Sequence, residues 1–206
     1  MNYDEALIAG KLRRWEVYLE NFRLPEWETI PDIGLYMEQV VVLLKQYLDY
    51  LPPELKGEDQ PITASAINNY VRTKIMPSPE KKRYYRVHIA YLIMICTLKQ
   101  SLSIAMIQKF IPVGISDDEV RQAYESFAKR HSLSAKRFVD EVRVASAKIL
   151  HHEEVSEFSV DGIDELISYA AITGGWSRLL SEKLILLEGL DLETGGSIEI
   201  VRQSLH

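Results

Sequence analysis

Apolar residues recur at spacings of three and four along most of the chain, which is the spacing that lines one face of an α-helix. Prolines and polar stretches separate these runs from one another. Alternation with a period of two, the pattern of a half-buried strand, occurs only around residues 82–87. We therefore predict an all-α fold with one small β wing. The predicted helices cover residues 3–21, 35–51, 63–73, 87–98, 103–111, 116–131, 134–150 and 161–190, the last as one long helix or as two that meet at Gly174 and Gly175.

Two of these helices begin with capping residues. Thr63 stands where an N-cap side chain accepts a hydrogen bond from the first free backbone N–H groups of a helix. Ser116 and Glu119 have the spacing of a capping box, and Asp117 and Asp118 lie in the first turn, where acidic side chains are favoured. Both helix starts therefore follow from local side-chain chemistry.

The formal net charge of −6 conceals an uneven distribution along the 206 residues. Residues 62–112 hold eight cations and one acid, whereas residues 1–61 and 113–206 have net charges of −6 and −7. A cationic segment between two anionic ones is typical of a surface that meets a polyanion. We accordingly divide the chain into N-terminal helices (1–61), a basic unit (62–112) and a C-terminal helical region (113–206). Charge alone leaves open that the basic face docks onto the protein's own acidic segments or onto an acidic partner.

The helix that starts at Thr63 separates into two faces, with its apolar residues on one side at spacings of three and four. The outer side shows short donors and acceptors suited to base edges and phosphates: Ser65, Asn68, Asn69 and Arg72. Pro77 and Pro79 keep the next residues out of a helix, so the basic, tyrosine-rich stretch that follows forms a short arm or hairpin. This arm is anchored directly on the apolar helix 87–98, which positions its cations on a rigid core element.

Residues 63–111, TASAINNYVRTKIMPSPEKKRYYRVHIAYLIMICTLKQSLSIAMIQKFI, resemble the winged helix-turn-helix domain of MerR regulators. The likeness covers the recognition helix, the wing and the helix after it, at Ile67, Tyr70, Arg72, Ile75, Met76, Pro77, Arg83, Tyr85, Ile89, Leu92, Ile95 and Leu98. The resemblance implies that the first helix of the DNA-binding unit comes from residues 35–50. The chain is also similar to an uncharacterised bacterial family of domains of unknown function that places such a unit in its middle.

The sequence departs from the MerR pattern in four places, one of which is Asn68 and Asn69, where that family often has Arg and Tyr. A long insertion, YLDYLPPELKGEDQPI, precedes the recognition helix, and the wing lacks its usual glycine. Nothing after Pro112 matches the dimerising helix and the cysteine metal sensor of that family. The way in which MerR regulators respond to effectors is therefore not expected of this chain.

Together, charge, helix faces and resemblance predict a cytoplasmic, DNA-binding transcriptional regulator that acts by binding rather than by catalysis. Ser65, Asn68 and Asn69 are expected to face the bases of double-stranded DNA. Phosphate contacts are assigned to Tyr70, Arg72, Lys74, Lys82, Arg83, Tyr85 and Arg86. A homodimer would read two half-sites about one helical turn apart. Two alternatives stay open: a docking module whose basic face binds an acidic partner, and a ligand sensor with an apolar pocket in residues 113–206.

Other candidate sites carry less weight. The sequence has no glycine-rich phosphate loop and no nucleophile elbow, so we expect neither an enzyme nor a cofactor. His151 and His152 are candidate metal ligands, but neighbouring helical residues point about 100° apart and do not converge on one ion. His88 and Cys96 are interpreted as buried structural residues. The longest apolar run is too short to span a bilayer, and the N-terminus lacks the apolar region of a signal peptide, so no membrane role is expected.

Overall fold

The structure is a computed structural model that describes residues 5–51, 62–151, 155–156 and 158–186. It is mainly helical, which confirms the all-α prediction. The helices in chain order are α1 Glu5–Asn21, α2 Met37–Tyr47, α3 Ala64–Arg72, α4 Arg86–Leu98, α5 Ile104–Phe110, α6 Asp117–Ala145, α7 Ala147–Leu150 and α8 Ile163–Leu186. A short 3-10 helix, Trp27–Thr29, lies between α1 and α2. None of the helices in these ranges is long and apolar enough to cross a membrane.

Capping side chains set the helix starts that the sequence predicts. Thr63 Oγ1 accepts a hydrogen bond from the backbone N–H of Ala66 at 3.0 Å, and α3 begins there. At the start of α6, the Ser116 backbone N–H donates to Glu119 Oε2 at 2.8 Å, and the Glu119 backbone N–H donates to Ser116 Oγ at 3.4 Å. The hydrogen bonds with Ser116 hold the pKa of the Glu119 carboxyl below its usual value. Both predicted starts are confirmed.

The prediction that one helix ends at residue 131 and the next begins at residue 134 is wrong, because the break between α6 and α7 falls at Ser146. α6 is one helix of 29 residues that continues through residues 131–134. The stretch HSLS at these positions contains neither glycine nor proline, so no residue in it interrupts the backbone hydrogen bonds of a helix. α8 likewise runs through Gly174 and Gly175, which leaves the single-helix alternative for that region.

α4 forms the centre of the core. Every residue from 88 to 96 is buried, and both α2 and α6 pack against this helix. A helix that is apolar on all sides fits this place because neighbouring elements surround it. Burial raises the pKa of the Cys96 thiol to about 12, so the residue behaves as a small hydrophobic group, as the sequence predicts. The Tyr91 hydroxyl donates to the carbonyl of Pro112 at 2.7 Å, which ties α4 to the chain after α5.

α1 and α6 pack side by side in opposite directions. The rings of Trp15 and Phe138 meet edge to face with centroids 5.5 Å apart, and the rings of Phe22 and His131 meet with centroids 5.8 Å apart. Trp15 of α1 thus contacts a later residue of α6 than Phe22 does, which directly follows α1, as antiparallel packing requires. His131 also packs on the ring of Tyr50, and its buried Nδ1 has no hydrogen-bond partner among the described residues. Burial lowers the pKa of this imidazole.

The predicted β wing is reduced to two isolated antiparallel bridges, Glu80 with Arg83 and Leu35 with Tyr84. The described residues form no strand. The physical reason is the short length of the segment, because α4 already begins at Arg86 and leaves too few residues for a ladder. Arg86 consequently lies in the first turn of α4 and not in a wing.

Candidate nucleic-acid interface

The outward face of α3 carries the polar residues predicted to face bases. Ile67 is fully buried against the core, so the opposite side of the helix faces solvent. Ser65 and Asn68 are exposed there. Asn69 is half-buried, and its Oδ1 accepts a hydrogen bond from the exposed guanidinium of Arg72 at 2.6 Å. The two side chains with the freest access to a ligand on this helix are therefore Ser65 and Asn68.

Tyr70 is the one predicted phosphate contact that the structure contradicts. Its side chain is 2% exposed and belongs to the hydrophobic core. Three residues separate it from Ile67, so the same helical periodicity that buries Ile67 turns Tyr70 inward. A phosphate on the surface cannot reach it, and we remove Tyr70 from the interface.

Lys74 ends α3 in a conformation that favours glycine. Its φ is 57°, in the left-handed region. The Lys74 backbone N–H donates to the carbonyl of Val71 at 3.1 Å, and the Ile75 N–H donates to the carbonyl of Tyr70 at 3.2 Å. These two bonds make a Schellman motif, whose left-handed position is usually occupied by glycine. The exposed ammonium of Lys74 is thus held at the end of α3 on a strained backbone.

A two-residue turn places two further lysines in the same conformation. Residues Glu80–Arg83, here called the basic turn, are closed by two backbone hydrogen bonds: Glu80 N–H to Arg83 O at 3.1 Å and Arg83 N–H to Glu80 O at 2.9 Å. Lys81 and Lys82 at its tip have φ values of 49° and 65°. Positive φ at both central positions is the pattern of a type I′ turn, which prefers Asn-Gly. Lys81 is absent from the sequence-based assignment, because Lys-Lys carries no turn signal of its own.

Arg83 anchors the basic turn to the segment before α2. Its guanidinium donates to the carbonyl of Gly34 at 2.9 Å and to the hydroxyl of Tyr36 at 2.7 Å. The same guanidinium lies over the Tyr36 ring, 4.3 Å from the centroid. Leu35 and Tyr84 also exchange two backbone hydrogen bonds of 2.9 Å, which connect the residue after the basic turn to the segment before α2. Arg83 is half-buried and holds the turn in place, so its main role here is structural.

The residues after the turn are fixed by α4. The buried His88 accepts a hydrogen bond at Nδ1 from the backbone N–H of Tyr85 at 3.1 Å. Its Nε2 therefore carries the proton and donates to the carbonyl of Ser78 at 3.0 Å. The half-buried Arg86 donates from Nε to the carbonyl of Ile30 at 2.8 Å. His88 is thus a structural residue, as predicted, that clamps the basic segment onto the core helix.

The cations of this segment are not neutralised by the acidic parts of the chain that the structure describes. We call the set the basic surface; it comprises Arg72, Lys74, Lys81, Lys82, Arg83 and Arg86. None of the six forms an ion pair with a described carboxylate, and the ion pairs that are present involve Arg121, Arg143, Lys148 and Arg178. Arg72, Lys74, Lys81 and Lys82 are also exposed. Within the described ranges, no carboxylate therefore neutralises the basic surface.

The structure gives little support to the other sites considered from the sequence, which are the histidine pair and the ligand pocket. His151 ends α7 in a left-handed conformation with φ of 55°, and His152 lies outside the described residues. The described ranges contain no group of three side chains that could hold a metal ion. A cavity of about 480 Å³ lies between α1 and α6, with polar as well as apolar walls, so it is shared between the N-terminal and C-terminal regions. The ligand-sensor alternative placed a pocket within residues 113–206 alone.

Comparison with known proteins places this surface within a family. Residues 25–127, half of the 206-residue chain, match a family described as a domain of unknown function (DUF1836). The chain belongs to this family. The matched region contains α2 to α5, the basic turn and the first part of α6, and thus the whole basic surface of this DUF1836 protein. No curated protein and no solved structure matches the chain. Membership of a family of unknown function is confirmed, and the likeness to MerR regulators stays a prediction.

Proposed function

We propose that this DUF1836 protein is a cytoplasmic DNA-binding transcriptional regulator. α3 enters the major groove with Ser65 and Asn68 toward the base edges, as the recognition helix of a MerR-like winged unit, while the lysines of the basic surface contact phosphates. Two copies in a homodimer bind adjacent half-sites. The connection between α2 and α3, residues 48–63, is longer than the turn of a compact helix-turn-helix, although the two helices are in contact.

The observation that carries this proposal is the backbone conformation of three lysines. Lys74, Lys81 and Lys82 all have positive φ, which costs a residue with a side chain about 1–2 kcal/mol each. Glycine or asparagine would relieve that cost at every one of these positions. A functional role for the positive charge explains why lysine occupies positions whose backbone conformation favours glycine or asparagine. The side chains of all three lysines are exposed. Phosphate is the partner that suits three exposed ammonium groups with no acidic partner among the described residues.

The test is binding to a mixed pool of duplex DNA across a salt series from about 50 to 200 mM. The variant Lys74→Gly/Lys81→Asn/Lys82→Gly removes the three charges and gives each position a residue that its backbone prefers. We expect the slope of log K against log salt to become shallower by about 2.7, because each phosphate contact that disappears contributes about 0.9.

A matched control removes three exposed cations from α6 instead, as Lys129→Gln/Arg130→Gln/Arg137→Gln. Net charge falls equally in both variants, so a general electrostatic effect would flatten both slopes alike. The proposal requires that the control keep the wild-type slope. If the slope falls by the same amount in both variants, the basic surface is not the DNA contact.

A second candidate is a docking module for an acidic protein, and a groove along α2 favours it. The groove has a volume of about 400 Å³ and mainly apolar walls formed by Pro31, Leu35, Glu38, Gln39, Val42, Leu43 and Gln46. Val42 is 57% exposed, and Leu35 adjoins the anchor of Arg83. Apolar surface beside cations that have no acidic partner in the described part of the chain is typical of a protein interface. A folded wild type that binds no DNA at low salt would favour this candidate over the first.

A further inference from the structure

The cavity between α1 and α6 has the size and lining of a small-molecule site. Its volume of about 480 Å³ falls within the range of ligand pockets, about 300–1,000 Å³. The lining residues are Leu19, Glu20, Arg23, Ser132, Leu133, Lys136, Val139, Asp140 and Arg143. None of them belongs to the basic surface, so this inference is independent of the proposed DNA binding.

The antiparallel packing of α1 and α6 gives the cavity two chemically different ends. Arg143, late in α6, contacts Glu16 and Glu20 of α1. Arg23 follows the end of α1 and lines the cavity together with Ser132 and Lys136, from the earlier part of α6. One end thus collects carboxylates and the other collects cations.

At the first end, one guanidinium is shared by three carboxylates. Arg143 lies 3.1 Å from Glu20, 3.8 Å from Glu16 and 3.9 Å from Asp140, measured between nitrogen and carboxylate oxygen. Glu16 is 6% exposed, and its Oε1 has no hydrogen-bond partner within the described part of the chain. A buried carboxylate oxygen without a partner is costly, and a single cation neutralises only one of the three acids. Glu16 lies outside the cavity lining, but Glu20 and Asp140 line this end beside the single cation Arg143. The lining of this end therefore keeps one net negative charge that a further positive charge would neutralise.

At the second end, two cations have no carboxylate partner among the described residues. The Arg23 guanidinium donates only to backbone carbonyls, those of Glu20 at 2.8 Å and Phe22 at 2.6 Å. Lys136 is exposed and forms no ion pair with a described acid. A carboxylate placed between these two side chains would gain charge-assisted hydrogen bonds from both.

Apolar side chains fill the wall between the two ends. Leu19 and Val139 are buried, and Leu133 is 56% exposed. We propose that this cavity binds an α-amino acid with an apolar side chain. The ammonium group lies against Glu20 and Asp140, the carboxylate lies against Arg23 and Lys136, and the apolar side chain packs on Leu19, Leu133 and Val139.

Three probes with the same aromatic side chain separate the contributions of the two charges. Phenylalanine carries both charges, N-acetylphenylalanine lacks the ammonium, and phenylalaninamide lacks the carboxylate. Binding is followed by saturation-transfer NMR on the aromatic protons of the probe at about pH 6.5, where free α-amino groups are protonated. We expect saturable binding of phenylalanine, and dissociation constants at least about tenfold larger for both derivatives, because each lacks one charge-assisted contact.

Paired variants on α6 locate the site. Lys136→Gln should weaken phenylalanine binding at least about tenfold and reduce its advantage over phenylalaninamide, because Arg23 alone then contacts the carboxylate. Arg137→Gln, at the next residue and outside the cavity, should change nothing. Asp140→Asn should reduce the advantage over N-acetylphenylalanine, because Glu20 alone then contacts the ammonium, with Glu141→Gln at the exposed next residue as its control. Thermal unfolding of each variant checks that it is folded.

Two outcomes overturn the proposal without any variant. One is the absence of saturable binding of phenylalanine to the folded wild type up to about 10 mM, a concentration well above the Kd of even a weak fragment. The other is similar binding of all three probes, which would mean that neither charged end is used. Normal binding by Lys136→Gln would also refute the assigned position of the carboxylate.

Discussion

Gly34→Ala tests the contact between Gly34 and Arg83 that anchors the basic turn, because this contact leaves no space for a methyl group at Gly34. A Cβ atom at Gly34 would lie 2.6 Å from Arg83 Cδ, 3.0 Å from Arg83 Cβ and 3.2 Å from the Tyr85 hydroxyl. Carbon atoms pack best at about 3.5–4.0 Å, so the Arg83 side chain must move by about 1 Å. The guanidinium then leaves the Gly34 carbonyl and the Tyr36 hydroxyl and ring.

The interactions of the Arg83 guanidinium set the size of the effect. Two hydrogen bonds from a charged donor contribute about 1.5–3 kcal/mol each when buried, and we halve that value because Arg83 is half-exposed. The cation–π contact adds about 0.5–1 kcal/mol. Alanine reduces the conformational freedom of the unfolded chain, which stabilises the variant by about 0.4–1 kcal/mol. Partial relaxation of the Arg83 side chain lowers the net loss of stability further. We expect Gly34→Ala to lower the free energy of unfolding by about 1–2 kcal/mol.

Urea unfolding of a double-mutant cycle measures whether the contact with Arg83 is the cause. On an Arg83→Ala background the closest contact, with Cδ, is absent, while the contacts with the Cβ of residue 83 and with the Tyr85 hydroxyl remain. Gly34→Ala should there cost less than about half of what it costs in the wild type. Gly10→Ala is the control: this glycine of α1 has nothing within 4 Å of an added Cβ, so the substitution should stabilise the helix by about 0.5–1 kcal/mol. Additive effects of Gly34→Ala and Arg83→Ala would refute the reasoning, because they would show that the clash lies elsewhere.

Three further predictions follow from particular backbone and side-chain environments. Lys81→Asn/Lys82→Gly should raise the free energy of unfolding by about 1 kcal/mol in urea titration, because both residues then suit the type I′ turn; a destabilised variant would contradict the assigned turn. Burial lowers the pKa of His131, so its neutral form is favoured in the fold; its contribution to stability is complete above about pH 6.5 and declines as the pH falls below that value. His131→Phe should remove this part of the pH dependence of the unfolding midpoint, and an unchanged profile would assign it to another group. On a selected DNA site, Asn68→Ala should relax preference at one base pair by about 1–3 kcal/mol without changing the salt slope, as quantitative binding to single-substitution sites would show.

Helix starts and the central helix were predictable because their causes are local. Thr63 and Ser116 cap helices through hydrogen bonds to residues three positions away, so nearby sequence is sufficient to place them. The run from residue 88 to 96 is apolar on every side, which already indicates a helix surrounded by other elements. The break predicted near residues 131–134 was wrong because no breaker residue is present and α6 continues along α1.

The candidate interface was predictable in composition but not in geometry. Charge counting found the basic segment, and helical periodicity placed Ser65 and Asn68 outward. The same periodicity turns Tyr70 inward, as the structure shows. Tyr70 was nevertheless assigned to phosphate because it matches a tyrosine position of MerR regulators. Lys81 was missed because a type I′ turn made by two lysines has no signature in residue type.

The amino-acid sequence by itself determined the helical class, the helix starts at capping residues, the central apolar helix and the separation of charge along the chain. These properties depend on neighbours within a few residues or on simple addition of charges. Only the tertiary structure decided that Arg83 is anchored on Gly34 and Tyr36, and that the cations of the basic surface lack acidic partners among the described residues. It also decided that α1 and α6 enclose a cavity with two charged ends. These features join residues about 50 to 120 positions apart, and such pairings arise only when the helices pack.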